Sequence, residues 1–385
     1  MLSKRKLNWG VDSFLFGIIL VLIFLGILIL ASVSASFSLQ TFGSTYYFLS
    51  HQLLFGLLPG LLGGFILFFV PLKILKKWSL PALLFSILLL LLAFLPIIGS
   101  ASGAHRWIFL GPFSFQPSEL LKLTFIMYLA ALLANRVPKR EGFHKAKKWT
   151  LDRLLEGKEA LIPFVAVTGI ISFLLIAQPD VSTLGVIALT GIIMYFAAST
   201  PWWHTPFMVG GGLATLLLLI QIAPYRFSRL KVFLDPLFDP LGQGYQIKQA
   251  LIGIGSGGIT GVGLGLSFQK FGFLPEPISD SIFAVVAEEL GFIGAAILVL
   301  LFLLFALRSF VLAKKIKDPF AKIVTIGIAS WITLQAFVNM GSITGLFPLT
   351  GIPLPFISYG GSALVMELLA MGILLKLTAQ GLTKS

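Results

Sequence analysis

Long apolar stretches, separated by short polar or basic segments, dominate the sequence. Ten of these stretches have about 17 to 25 residues with few or no charges, the length that an α-helix needs to cross a bilayer. They cover approximately residues 12–34, 46–70, 79–98, 118–135, 161–177, 181–199, 203–223, 282–307, 321–340 and 357–377. Because a backbone in lipid must pair its own polar groups, the pattern predicts helices. We therefore expect an all-α integral membrane protein, with one bundle that forms a single polytopic domain over residues 1–385.

The composition agrees with this pattern. Of the 385 residues, 57% are hydrophobic and 11% are charged, whereas soluble domains contain roughly a quarter charged residues. The chain has no cysteine, which excludes disulfides, a thiol nucleophile and cysteine-ligated metals. Its four histidines are scattered and do not have the spacing of metal ligands.

The formal net charge of +13 comes from basic residues that are concentrated in alternate polar segments. If the N-terminus is cytoplasmic, cytoplasmic segments contain 21 of the 28 lysines and arginines, and outer segments contain 6. This asymmetry follows the positive-inside rule and places both termini in the cytoplasm. The basic balance is then explained by topology and by contact with the lipid bilayer, and it does not indicate nucleic-acid binding.

The N-terminus also has features of a secretory signal peptide. It combines a basic start with small residues at 32–36. The apolar run over residues 14–31 is longer than the hydrophobic region of a normal signal peptide, so we expect a retained first helix. A mature N-terminus near residue 36 would contradict this expectation.

The largest predicted non-membrane segment is residues 224–281, a large extracytoplasmic loop in this topology. Loops of this length are usually functional or disordered, and the aromatic residues, glycine runs and paired charges favour a folded one. Within it, Gly253-x-Gly255-x-x-Gly258 formally matches a dinucleotide-binding pattern. We reject that interpretation because no strand–helix–strand unit surrounds the glycines. They either let a backbone approach a ligand closely or only form tight turns.

Asp280 is the strongest candidate for chemistry. It lies at the end of this polar loop, directly before an apolar helix re-enters the membrane. Ionisable residues at such a border are costly and often functional, although a solvated loop carboxylate would also fit.

Other polar residues lie near the same predicted membrane face. Glu119 and Lys122 share one face of the fourth helix, where they form a structural ion pair or part of a substrate site. The Pro- and Gly-rich segment 351–362 interrupts regular helix, and we expect it to line a cavity. Isolated acids near or within other apolar helices need partners or a polar cavity, and these are Asp180, Glu288, Glu289 and Glu367.

Taken in order, these segments resemble the SEDS family of bacterial cell-wall glycosyltransferases, which includes FtsW and RodA. The motifs that carry the resemblance are Arg106-Trp107, Gln116-Pro-Ser-Glu119-x-x-Lys122, Gln178-Pro-Asp180, the loop from Phe233-Leu-Asp-Pro to Lys270, Leu274-Pro-Glu276, Asp280, Glu288-Glu-Leu-Gly and Pro355-Phe-Ile-Ser-Tyr-Gly-Gly-Ser362. The pattern Asp239-Pro-Leu-Gly-x-Gly-Tyr-Gln is closer to FtsW than to RodA. In the family the essential Asp follows His-Thr, whereas here Ile278-Ser279 precedes Asp280.

The resemblance implies an inverting glycosyltransferase that polymerises lipid II, an undecaprenyl-pyrophosphate donor, at the outer face of the bacterial cytoplasmic membrane. It implies that Asp280 is the catalytic base. The expected substrate-binding residues are Arg106, Trp107, Gln116, Ser118, Glu119, Lys122, Asp180, Arg226, Arg229, Gln269, Lys270, Glu276, Ser358 and Tyr359. No cofactor is certain, but a divalent cation, Mg²⁺ or Mn²⁺, could neutralise the pyrophosphate.

The resemblance also implies partners, namely a class B penicillin-binding protein and, for a division enzyme, the other divisome proteins. Three alternatives stay open at this point. A lipid II flippase would explain the ten helices, but not the gathering of acids and a large loop on one side. A RodA-like polymerase would act in cell-shape maintenance, and a non-catalytic scaffold for a transpeptidase would tolerate substitution of Asp280.

Overall fold

A computed structural model describes residues 10–95, 106–110, 113–136, 158–222, 224–235 and 238–382. Its helices are α1 (Ser13–Phe42), α2 (Tyr47–Gln52), α3 (Leu58–Phe69), α4 (Leu72–Leu92), α5 (Pro117–Arg136), α6 (Lys158–Ala177), α7 (Val181–Ala197), α8 (Thr205–Ile222), α9 (Pro224–Leu234), α10 (Gln243–Ser256), α11 (Ile282–Lys315), α12 (Pro319–Ile343) and α13 (Gly361–Leu382). A π-helical turn, Leu53–Leu57, joins α2 to α3. Two antiparallel strands, β1 (Ile108–Leu110) and β2 (Phe113–Phe115), form a small hairpin before α5.

Each of the ten predicted apolar stretches contains a helix. Within the described residues, eight helical spans are long and apolar enough to cross a membrane, namely α1, the joined α2–α3, α4, α5, α6, α11, α12 and α13. Helix α7 is also apolar but has 17 residues, and α8 lies at the seventh predicted stretch. The all-α prediction is confirmed, and the number of ten crossings is approximate.

Several predicted boundaries are wrong by four or more residues. Helix α1, for example, extends to Phe42 instead of residue 34. Helix α4 begins at Leu72, directly after Pro71, and not at residue 79. Helix α11 extends to Lys315 instead of 307, and α13 begins at Gly361 instead of 357. Basic residues in the first turns of α4 and the last turns of α11 explain two of these errors, because long basic side chains can reach water from within a helix.

Helices α5, α12 and α13 form the centre of the bundle. Most side chains in the apolar spans of these three helices are buried, whereas fewer than a third are buried in the apolar spans of the joined α2–α3, α4, α6 and α11. Trp331 and Phe125 are fully buried in this centre. The exposed faces of the outer helices are apolar, as expected for surfaces that contact lipid.

Glycines let α3 approach α13 closely. A Cβ atom at Gly64 would lie 2.6 Å from the carbonyl oxygen of Leu368, and one at Gly372 would lie 2.0 Å from that of Gly64. The spacing Gly56-x-x-x-Gly60-x-x-x-Gly64 in the sequence predicts such a close approach by another helix, and the structure shows that this helix is α13.

Helix α11 is interrupted at Gly291, which has a φ of 67°. Residues 281–289, before the interruption, are buried, and Asp280 lies directly before them. Four backbone hydrogen bonds connect residues 258–263 to α11 on both sides of the interruption. The first part of α11 is thus a short buried helix that fixes the position of the turn containing Asp280.

Candidate active site

Segments that are far apart in the sequence meet at one end of the bundle. The Arg229 Nη1 atom on α9 donates a hydrogen bond to the Leu349 carbonyl oxygen at 3.2 Å. The backbone N–H of Tyr359 donates to the carbonyl oxygen of Ile278 at 2.8 Å. These contacts bring α9 and the segment after α12 against the turn before α11.

Asp280 lies in this turn. The Ser281 N–H donates to the Glu276 carbonyl oxygen at 3.1 Å, and the Ser279 hydroxyl donates to the Glu276 carboxylate at 2.7 Å. The Asp280 side chain is half-buried and lines a cavity of about 50 Å³ with Arg229, Gln246, Ser342, Ile343, Leu349 and Gly351. Such a cavity has room for water or a hydroxyl group but not for a sugar ring.

The carboxylate of Asp280 has unused acceptor capacity. No described residue donates a hydrogen bond to it. Burial, together with the negative charge of Glu276, raises the pKa of Asp280 to about 6, although the positive charges of Arg229 and Arg106 act in the opposite direction. A carboxylate with this pKa is ionised at neutral pH and is a stronger base than an ordinary aspartate.

The backbone of Asp280, in contrast, is held firmly. The Asn339 Nδ2 atom on α12 donates to the carbonyl oxygens of Asp280 and Ile352, at 2.9 Å and 2.8 Å. The Gln246 Nε2 atom donates to the Ser281 hydroxyl at 3.0 Å. The turn is therefore connected to α10, α12 and the segment after α12.

Residues 351–360, which we call the cavity loop, lie beside this turn. Side chains on three helices pair with its backbone, since Gln335 donates to Pro353 O at 3.0 Å, Glu367 accepts from Phe356 N–H at 2.8 Å and Gln52 accepts from Gly360 N–H at 3.1 Å. A Cβ atom at Gly351, whose φ is +69°, would lie 3.2 Å from an Asp280 carboxylate oxygen. Gly351 is the one residue of this loop that lines the Asp280 cavity. For the other residues of the segment, the cavity-lining role stays a prediction.

Ser358 and Tyr359 belong to the cavity loop and help to hold it. The Ser358 hydroxyl donates to the Ser279 carbonyl oxygen at 2.6 Å and accepts from the Leu354 N–H at 2.8 Å. The Tyr359 hydroxyl lies 3.0 Å from the His51 Nδ1 atom. Both predicted site residues thus connect the loop to neighbouring segments.

Glu119 and Lys122 form an ion pair inside the bundle. Their side-chain atoms are 2.8 Å apart, and both residues are buried. Lys122 also donates to Gln335 at 2.7 Å, and its Nζ atom lies 5.1 Å from the centre of the Trp331 ring. The ion pair predicted from the spacing exists, and it connects α5 to α12.

Asp180, Ser118 and Arg106 stabilise the turn between α6 and α7. Asp180 caps α7 by accepting from the Thr183 N–H at 3.3 Å, and it also accepts from the Ser118 hydroxyl at 3.1 Å. Arg106 donates to the Gln178 carbonyl oxygen at 2.9 Å and to that of Pro179. These residues hold the turn together.

Comparisons with known proteins show to which family this chain belongs. A family model described as "Cell cycle protein", covering FtsW, RodA and SpoVE, matches residues 12–381. The chain belongs to this SEDS family. It is therefore a multi-pass membrane protein.

Relatives match over almost their entire lengths. Stage V sporulation protein E of Bacillus subtilis (strain 168) is 38% identical, over 95% of this chain and 96% of that protein. A probable peptidoglycan glycosyltransferase FtsW of Geobacter sp. (strain M18) is 37% identical, over 96% of this chain and 97% of that protein.

Two solved structures share the fold. One chain, from a structure on the coordination of polymerization and crosslinking by a peptidoglycan synthase complex, is 29% identical with a TM-score of 0.76. This match covers 96% of this chain and 98% of that chain. The rod shape determining protein RodA of Thermus thermophilus is 26% identical with a TM-score of 0.67, over 96% and 98% of the two chains.

The other predicted site residues of this SEDS protein lie at several separate places in the structure. Gln269 and Lys270 are buried against α11, and Glu276 is exposed beside Asp280. Trp107 and Gln116 are half-buried near the start of α5. The side chain of Arg226 lies outside the described part of the chain. Substrate contacts of all these residues stay predictions.

Sequence reasoning missed the residues that hold the Asp280 turn and the cavity loop, chiefly Asn339 and Gln335. A signal was available, because both are amide residues inside an apolar helix and are spaced four apart, which puts them on one face. Polar side chains within membrane helices usually face the protein interior and have a partner. Their partners here are carbonyl oxygens of irregular backbone, which no sequence pattern indicates.

Proposed function

We propose that this SEDS protein is a peptidoglycan glycosyltransferase that polymerises lipid II at the outer face of the bacterial cytoplasmic membrane, in septal cell-wall synthesis. Similarity to probable FtsW glycosyltransferases over nearly the whole chain supports the activity. The observation that carries the mechanism is the Asp280 carboxylate, which lines a small polar cavity and accepts no hydrogen bond from the described residues.

In the proposed reaction, Asp280 accepts the proton of an acceptor sugar hydroxyl while that oxygen attacks the anomeric carbon of the donor. The bond between this carbon and the pyrophosphate oxygen breaks, and undecaprenyl pyrophosphate leaves with the bonding electrons. One such displacement converts an α-linked donor into a β-linked glycan. A positioned general base typically contributes about 10²–10⁴-fold.

Cationic side chains would stabilise the departing pyrophosphate. Arg229 lines the Asp280 cavity, and both Arg229 and Arg106 are close enough to influence the Asp280 pKa. Fixed positive charges near a developing negative charge lower the barrier because they need no reorganisation during the reaction.

The proposal includes a divalent cation that enters the site bound to the pyrophosphate of the substrate. In the described ranges, no three His, Asp or Glu side chains form a group that could hold a metal ion. In this proposal, pyrophosphate oxygens would hold the Mg²⁺ or Mn²⁺ because hard cations prefer oxygen ligands, and the exposed Glu276 beside Asp280 is a nearby carboxylate.

The proposed partner is a class B penicillin-binding protein, which would crosslink the new strands. The solved peptidoglycan synthase complex that shares this fold supports such a pairing. The division role is supported by relatives named FtsW at 36–37% identity.

The central test is polymerisation of labelled lipid II by purified protein in detergent, with and without the class B protein. We expect glycan strands from the wild type and none from Asp280→Asn. Because detergent contains no second compartment, a flippase would give no polymer. Absence of polymer from the wild type with its partner would overturn the proposed activity, and normal strands from Asp280→Asn would overturn the base assignment.

A further inference from the structure

The segment 258–273, which we call the glycine loop, has an inverted distribution of polar and apolar side chains. Its apolar residues are exposed, with Ile259 71%, Leu266 68% and Phe268 61% accessible. Its polar residues Ser267, Gln269 and Lys270 are buried. A loop that faces water normally has the opposite distribution.

Several buried polar groups of the glycine loop are paired with α11, although the Gln269 Oε1 atom has no hydrogen-bond partner among the described residues. The Glu288 carboxylate accepts from the Ser267 hydroxyl, from the Phe268 N–H at 3.0 Å and from the Gln269 N–H at 3.4 Å. Lys270 forms a 3.0 Å ion pair with Glu289. Two acids inside an apolar helix thus pair with buried polar groups of a loop whose apolar side chains are exposed.

The backbone of the loop also pairs with α11, at the interruption of that helix. The carbonyl oxygens of Gly258 and Ile259 accept from the N–H groups of Phe292 and Ile293, at 2.9 Å and 3.1 Å. A Cβ atom at Gly261 would lie 2.1 Å from the Glu289 carbonyl oxygen, so only glycine permits this approach. The loop is therefore fixed alongside α11.

The exposed face of the glycine loop continues the lipid-facing surface of α11. Phe292 and Ile293, which bond to the loop, are exposed, as are Ile297 and Leu300 farther along the helix. Between residues 257 and 275 the only charged residue is Lys270, which is buried, and the next exposed charge is Glu276. One uncharged apolar surface thus extends from the helix over the loop.

We propose that the glycine loop is an interfacial membrane anchor whose exposed side chains insert among bilayer lipids, at the boundary between headgroups and acyl chains. Interfacial segments typically bury apolar side chains about 5–10 Å into this boundary. Shallow insertion leaves the remaining loop backbone among the headgroups, where its polar groups are hydrated. The predicted extracytoplasmic loop 224–281 then has a membrane-bound part next to Asp280.

The natural absence of cysteine permits a direct test by spin labelling. Single variants Leu266→Cys, Phe268→Cys and Ile259→Cys would be labelled in vesicles of phosphatidylethanolamine and phosphatidylglycerol. Collision with oxygen, which concentrates in acyl chains, is compared with collision with a water-soluble nickel complex. Phe292→Cys is the lipid-facing control, and Leu241→Cys, at a site 94% exposed between α9 and α10, is the reference outside the spans.

We expect the three loop labels to collide with oxygen more than with nickel, as the Phe292→Cys label does. Nickel-accessible loop labels would overturn the proposal and indicate a water-facing surface for a protein partner. Labels shielded from both agents, with spin–spin broadening, would also overturn it and indicate a second copy of the chain. Three independent positions keep the test valid if one label disturbs folding.

Discussion

Asp280 and Glu288 lie on the two sides of the start of α11, and the fold treats their carboxylates in opposite ways. Glu288 accepts hydrogen bonds from Ser267 and from the backbone of Phe268 and Gln269. The Asp280 carboxylate accepts none from the described residues, while its backbone is held by Asn339. The acceptor sites of the Glu288 carboxylate are therefore occupied, whereas the Asp280 carboxylate lines a cavity and keeps its acceptor sites available.

This difference distinguishes a carboxylate that supports the fold, Glu288, from one that is available for chemistry, Asp280. A carboxylate whose acceptor sites are occupied by hydrogen bonds, as in Glu288, holds neighbouring groups in place. Asp280 is destabilised as an anion, because its pKa rises from 3.8 to about 6. Since the folded pKa is above the unfolded one, stability falls as pH rises from about 4 to 6, by up to about 3 kcal/mol. Such a penalty at a rigid position indicates a functional role.

The largest expected effect comes from replacing each carboxylate with its isosteric amide. Asp280→Asn should lower polymerisation by about 10²-fold or more, because the base is lost, and should keep or raise thermal stability. Glu288→Gln should lower stability by about 1–3 kcal/mol, because donors in the glycine loop lose their charged acceptor, with polymerisation per folded molecule nearly unchanged. Melting in detergent and lipid II turnover measure the two effects.

If the two variants behave alike, Asp280 and Glu288 do not have the different roles described above. Loss of turnover in folded Glu288→Gln protein would show that Glu288 takes part in the chemistry. A strong loss of stability in Asp280→Asn would show that Asp280 supports the fold. Lys314→Gln, at the opposite end of α11, is a matched control for changing a charged residue of this helix.

Removing the support of Asp280 should have the next largest effect. Asn339→Leu keeps the side-chain size but leaves the carbonyl oxygens of Asp280 and Ile352 without their common donor. A misplacement of about 1 Å can lower turnover about 10²-fold. We expect kcat to fall about 10–100-fold with a small change in KM, in steady-state assays of folded protein.

Ser330→Ala is the control for Asn339→Leu, because Ser330 is buried on the same helix and has no hydrogen bond to the cavity loop. It should retain wild-type kcat. If Asn339→Leu also retains it per folded molecule, while Asp280→Asn is inactive, the positioning role of Asn339 is wrong and the base assignment stands.

The regular parts of the fold were predictable from the sequence because each follows from a local rule. Apolar length gives the helices, and the glycine spacing of α3 indicates that another helix packs closely against it. The position of Asp280 at the start of α11 also followed from the order of polar and apolar residues. These features need only neighbouring residues or one helix face.

The support of the site was not predictable, because it depends on pairs that are distant in the chain. Gln335 and Asn339 bind carbonyl oxygens of the cavity loop, and any residue type supplies a carbonyl oxygen. Gly291 interrupts α11, yet an isolated glycine in a helix is usually tolerated. Glu288 and Glu289 are similar in sequence to site acids, and only the structure shows that they serve the glycine loop.

The elevated pKa of Asp280 makes a quantitative prediction for the pH profile. If Asp280 is the base, kcat/KM should rise with pH through about 6 and level off above pH 7, since only the ionised form accepts a proton. At pH 5 the rate should be about tenfold below the plateau, whereas an ordinary aspartate would be almost fully ionised. A rate that is constant from pH 5 to 7 would contradict this role, and circular dichroism over the same range controls for unfolding.

The smallest expected effect tests the electrostatic origin of that pKa. The negative charge of Glu276 raises the pKa of Asp280, so Glu276→Gln should lower it and shift the rising limb of the profile to more acidic pH. Glutamine keeps an oxygen that can accept from the Ser279 hydroxyl, so the turn should stay intact. The rate at pH 5.5 should increase by no more than about twofold, with the plateau unchanged, because Glu276 is exposed and its charge is screened. A shift to more alkaline pH would mean that Glu276 acts through its hydrogen bond to the turn and not through its charge.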